Sequence, residues 1–252
     1  MNKVLRDGKA NISLTRCYNP LRRGKFFKAF TLAEVLITLG IIGVVAAITI
    51  PSLITSYKAR RLRSQFLKSY SVVQQAIRLM EADGEESFDA LDYDRSTGEA
   101  FYRIFLKYVT GATDCGAFSR KNISCYNTST DYEQKYKNLT GTSTISGEFF
   151  DDGQIILADG TLLLFEQPQG WDRLWIFMDI NGVNEKPNRL GYDLFTLQMT
   201  DKGLKAMGDA DTTYVGDAYC STTGTGGWNG ISCTNKAKTD PDYFKRITKS
   251  IK

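Results

Sequence analysis

An α+β fold is expected from this sequence: a long N-terminal helix, transmembrane and then amphipathic, packed on an antiparallel β-meander. Three observations predict it. Phe30 to Ile54, FTLAEVLITLGIIGVVAAITIPSLI, is an apolar run whose one charge is Glu34. As a helix it measures about 37 Å at about 1.5 Å per residue, enough for a hydrocarbon core of roughly 30 Å. Beyond it, Leu62, Phe66, Tyr70, Val73, Ile77 and Met80 recur at steps of three and four, one apolar stripe of a helix. Residues 148–200 then break into short apolar runs separated by turn-forming residues, the pattern of strands.

The chain divides into a basic leader (1–29), the apolar helix (30–54), its amphipathic continuation (55–84) and a polar head (85–252). Formal net charge is +4, but the leader holds eight basic residues against Asp7 alone, so it carries +7 and the remainder −3. That asymmetry reads as cytoplasmic retention of the leader, not as a nucleic-acid surface, and a solvated tail is the plain alternative for residues 1–20. The absence of histidine excludes Ser-His-Asp and Cys-His nucleophiles and the common histidine-containing zinc sites. No G-x-S-x-G or phosphate-binding loop occurs, so no enzyme is expected.

Small residues such as Ala46 and Ala47 are followed at once by Ile48, so the apolar run does not end at a secretory cleavage site. Glu34 near its start is either an interfacial group that snorkels at little cost or the mark of a partner. Pro51 removes a helical hydrogen bond and predicts a kink. Gly43 and Ala47 form a small-xxx-small pair that permits close helix approach.

Ala29-Phe30-Thr31-Leu32-Ala33-Glu34, the apolar run and Pro51 together resemble the amino-terminal motif of type IV pilins and type II secretion pseudopilins. Counting from Phe30, Glu34 is the fifth residue and Pro51 the twenty-second, as in that family. Ala29 stands where the family usually has glycine. The resemblance implies a pilin-like fold and processing by a prepilin peptidase, which would cut between Ala29 and Phe30 and methylate Phe30. It implies a single-pass protein of the bacterial inner membrane, leader in the cytoplasm and head outside, later drawn into a pilus or pseudopilus. Its partners would be the peptidase, an inner-membrane assembly platform, the lipid bilayer and other subunits, Glu34 pairing with a neighbour's free amino terminus. The other reading is a membrane-anchored extracytoplasmic binding module or enzyme with an uncleaved anchor.

Past the apolar run, Lys58, Arg60, Arg61 and Arg63 suit either lipid headgroups or a solvated face. Gly84 is placed to cap the amphipathic helix. Phe101, Ile104, Phe105, Tyr108 and Val109 suggest a short helix, and 110–146 an elaborated loop. Gln154–Ala158, Asp159-Gly160 and Thr161–Phe165 read as a hairpin with a type I′ turn. Leu174–Met178 and Asp193–Met199 supply a third and a fourth strand.

Cys115, Cys125, Cys220 and Cys233 form two local pairs, which suggests disulfides in an oxidising compartment. Pairing 115–125 and 220–233 is one of three connectivities, with reduced thiols or a four-cysteine metal site as alternatives. Between strands three and four, Asp179, Asn181, Glu185 and Asp193 offer alternating oxygen ligands for a hard cation; some pseudopilins hold calcium in such a loop. The same residues are also turn formers. Asp240-Pro241-Asp242-Tyr243-Phe244 opens a short helix with a basic tail.

Overall fold

The computed structural model describes residues 30–84, 101–117, 124–126, 136–167 and 174–251. The leader and Ala29 lie outside them. The chain divides into two compact units, Met1–Ala47 and Ile48–Lys252.

Helix α1, Leu32–Ala82, includes both predicted helical stretches, and Pro51 lies inside it. In the first unit its apolar side chains, among them Leu36, Ile37, Ile41, Ile42 and Val44, are exposed. By length and composition α1 can cross a membrane.

In the second unit the amphipathic stripe is buried as its periodicity requires: Leu62, Phe66, Tyr70, Val73, Ile77 and Met80 all face the core. Phe66 sits centrally, its ring 4.7 Å from that of Phe195 and 5.7 Å from that of Phe244. The helix stops where Gly84 takes φ 79°, a left-handed conformation that glycine adopts without steric cost.

Among the described residues six strands form one antiparallel meander in chain order. They are β1 Thr113–Gly116, β2 Gly153–Ile156, β3 Leu162–Glu166, β4 Leu174–Asp179, β5 Leu194–Thr200 and β6 Gly203–Ala206. Side chains alternate across a strand, and both faces are covered. Leu174, Ile176 and Met178 of β4 join α1, the short helix α2 (Phe101–Lys107) and α4 (Tyr243–Ser250) in one core. Trp175 and Phe177 enter a second core with Tyr126, Tyr136, Phe150 and Ile231. Burial on both faces makes β4 continuously apolar rather than alternating.

The hairpin turn differs from the expected type I′. Leu157 N donates to Thr161 O and Gly160 N to Leu157 O, enclosing the three residues Ala158, Asp159 and Gly160. Only Gly160 among them has positive φ, at 90°, whereas type I′ needs two such residues. Asp159 instead accepts the Thr161 amide through Oδ1, an Asx bond that holds an ordinary turn. Strands β1 and β6 and helix α3 (Cys233–Thr239) were not expected: four- and seven-residue elements, two of them beside disulfides, carry too little periodicity.

Helix and turn are tied by a buried hydroxyl pair, Ser69 Oγ to Thr161 Oγ1 at 2.8 Å, beside an exposed ion pair, Lys68 to Asp159 at 3.1 Å. Ser69→Ala leaves Thr161 without that partner and is expected to cost about 1–2 kcal/mol. Lys68→Ala should cost at most about 1 kcal/mol. Urea denaturation of the two variants checks the order.

Candidate functional site: a capped helix start and a buried acid pair

The first site is the start of α1. Thr31 is its N-cap and Glu34 its third helical residue. Glu34 N donates to Thr31 Oγ1 at 3.2 Å, and Thr31 N donates back to Glu34 Oε2 at 2.8 Å. The Thr31 hydroxyl donates to the same oxygen at 2.8 Å. This is a reciprocal capping box, which satisfies two of the amide donors that a helix start leaves open. Thr31 was missed in the sequence, although Thr-x-x-Glu before an apolar run is the signature. Phe30, immediately before, is 84% exposed. Pro51 lies twenty residues into the helix, and its carbonyl accepts the Thr55 hydroxyl at 2.9 Å.

The second site is the neck of the β4–β5 loop. Asp179 ends β4 and pairs in register with Leu194, while Ile180 N donates to Asp193 O at 3.0 Å. Both carboxylates are thereby brought inside the head, and both are fully buried. Asp179 Oδ2 accepts the Tyr136 hydroxyl at 2.6 Å, and Oδ1 the Asn181 amide at 3.3 Å. Asp193 accepts the Asn188 amide at 2.9 Å and the Arg189 amide at 2.6 Å. Tyr136 is held by the Tyr126 and Phe150 rings, each centred 5.0 Å away, and by backbone bonds from 137 to 188 and 190. Nothing in the sequence pointed to Tyr136, which is distant along the chain.

Burial and then the charge of Asp193 push Asp179 up to about 8. Burial pushes Asp193 up to about 6, against the hydrogen bonds from Arg189, Asn188 and Asn181. Tyr136 is raised by burial and by Asp179. Two buried carboxyls side by side resist joint ionisation.

Of the four expected cation ligands, three come together. The Asn181 amide nitrogen donates to Glu185 O at 2.9 Å and also bonds Asp193. Its Oδ1 is buried and finds no hydrogen-bond donor among the described residues. Glu185 does not join through its carboxylate, which turns outward to Arg61 at 2.6 Å. Two buried carboxylates and an amide oxygen without a donor are the oxygen types that hard cations take, but Asn181 meets Asp193 through its nitrogen, so its amide must turn over to present that oxygen to a cation. A separate group, Asp151, Asp152 and Glu166, brings carboxylate oxygens within 4.8 Å of one another; Asp152 there accepts the Gln167 amide at 2.7 Å.

Among the described residues two disulfides are formed, Cys115–Cys125 and Cys220–Cys233, the local pairing. The second clamps the 221–232 loop onto α3. Compared with protein-family models, curated proteins and solved structures, the chain matches none.

Proposed function

We propose that this chain is a structural subunit of a type IV pilus-like filament or a type II secretion pseudopilus. A prepilin peptidase removes the leader before Phe30 and methylates the new terminus. The subunit then stands in the bacterial inner membrane with its head outside, until an assembly platform moves it into a filament of like subunits. The observation that carries this reading is the first turn of α1. Its one carboxylate, Glu34, is the fifth residue past the proposed cleavage point, at the head of an exposed apolar helix. A second chain supplying an ammonium there would neutralise a charge that lipid or a filament core otherwise penalises.

Assembly by α1 asks the head for rigidity rather than catalysis. The disulfides, the doubly covered sheet and the bonded β4–β5 neck supply it. Within this reading Asp179, Asp193 and Asn181 hold calcium, whose charge offsets the repulsion between the buried acids and locks the loop.

Amino-terminal sequencing of the protein from membranes tests the processing step. The expected mature terminus is Phe30, N-methylated. Recovery of the intact leader on all molecules would leave a plain anchored protein and overturn the proposal.

A further inference from the structure

Four basic residues follow the apolar stretch of α1, and they part into two pairs. Arg61 bonds Glu185, and Lys58 lies over the Tyr192 ring at 5.3 Å, so both are committed to the head. Arg60 and Arg63 instead share a face with Ser56 and Ala59 and line a cleft of about 330 Å³. The opposite wall is the start of α4 and the turn before it: Pro241, Asp242, Phe244 and Lys245. Arg63 donates one N–H to Pro241 O at 2.9 Å, which orients its guanidinium and leaves further donors for a ligand. Three cations against Asp242 leave the cleft two charges positive.

The cleft also has a defined depth. Ile50, Leu53, Ile54 and Tyr57 are exposed apolar side chains directly before it. From Ile54 to Arg60 is about 9 Å of helix, and a headgroup layer is roughly 5–8 Å thick. Arginine side chains reach back over that difference while keeping their charge in the polar layer. A guanidinium pair and a lysine at this level match a phosphate diester, which arginine binds in a bidentate manner.

We infer that the Arg60–Arg63–Lys245 cleft is a binding site for the phosphate of an anionic phospholipid in the outer leaflet of the membrane that α1 crosses. The inference rests on the membrane-inserted state proposed above. It would hold the cleft at the level of the outer-leaflet headgroups before assembly.

Native mass spectrometry of the full-length protein, released from detergent with equimolar phosphatidylglycerol and phosphatidylcholine, reads the preference directly. Each basic residue near an anionic surface contributes about fivefold, so phosphatidylglycerol should be retained at least tenfold over phosphatidylcholine. Arg60→Gln with Arg63→Gln should bring the ratio close to one, and Lys245→Gln alone should lower it about fivefold. Arg78→Gln with Lys107→Gln removes equal charge elsewhere and should leave the ratio unchanged. Millimolar glycerol phosphate should not displace the lipid. Equal retention of both lipids by the unaltered protein, an equal loss in the Arg78/Lys107 variant, or displacement by glycerol phosphate would each overturn the inference. Failure of the membrane reading has a separate signature, release of the protein from membranes by alkaline carbonate.

Discussion

Glu34→Gln is expected to leave the subunit processed and membrane-inserted yet lower its recovery in filaments at least tenfold when no unaltered copy is present. The substitution separates two roles that Glu34→Ala would remove together. Glutamine serves in a capping box as glutamate does, so the bonds with Thr31 survive. Only the charge is lost. A lost cap costs about 1 kcal/mol, whereas breaking a buried ion pair costs about 3–5 kcal/mol. If Glu34 pairs with a neighbour's amino terminus, Glu34→Gln and Glu34→Ala should be similarly defective, and Thr31→Ala much milder. Sheared filament yield, normalised to membrane-bound subunit, measures this. Filament yield near normal for Glu34→Gln, with a deficit confined to Glu34→Ala and Thr31→Ala, would make Glu34 a helix cap and refute the pairing.

Under the pairing proposed above, the capping box would also shape the assembly step. A carboxylate already bonded to Thr31 is pre-oriented at the helix start, so meeting a neighbour's amino terminus would require no rotamer search. It can accept a further donor, because a carboxylate has about four acceptor positions and Oε2 already takes two bonds.

Much of the architecture was legible because it is periodic. The steps from Leu62 to Met80 placed the buried face of α1, and the apolar runs placed β2 to β5 to within a residue or two. Spacing along the chain put the disulfides among the possibilities, but geometry was needed to select them. What stayed hidden depends on distant contacts. Thr113–Gly116 is a strand because Ile155 and Ile156 offer it an edge, not because its own residues favour one. Glu185 looked like a ligand by alternation along the loop, yet Arg61, 124 residues away, takes its carboxylate. Tyr136, which closes the acid pair, has no signal at all in its own neighbourhood.

The acid pair makes the last prediction, a stability that falls with rising pH unless calcium is present. Unfolded, both carboxyls titrate near the ordinary value of about 3.9. Folded, Asp193 and Asp179 are raised to about 6 and about 8. The folded state therefore holds protons that the unfolded state has released, and stability declines as pH climbs between about 4 and about 8. That decline is expected in chelator.

Calcium on Asp179, Asp193 and Asn181 would replace the proton. At a hundredfold excess over its Kd it contributes about 2.7 kcal/mol, or about 5–10 °C in Tm for a head of this size. The gain should be present at pH 7.5 and absent at pH 4.5. Asp179→Asn should flatten the chelator curve and abolish the calcium response, because it removes the titrating carboxyl and an anionic ligand; the fold should tolerate it, since Tyr136 can turn its hydroxyl to accept from the new amide. Glu185→Gln, which touches only an exposed pair, should keep the response. Thermal melts at the two pH values, with and without calcium, decide it: a pH slope with no calcium gain at pH 7.5 would mean that the loop closes on its own hydrogen bonds and a shared proton.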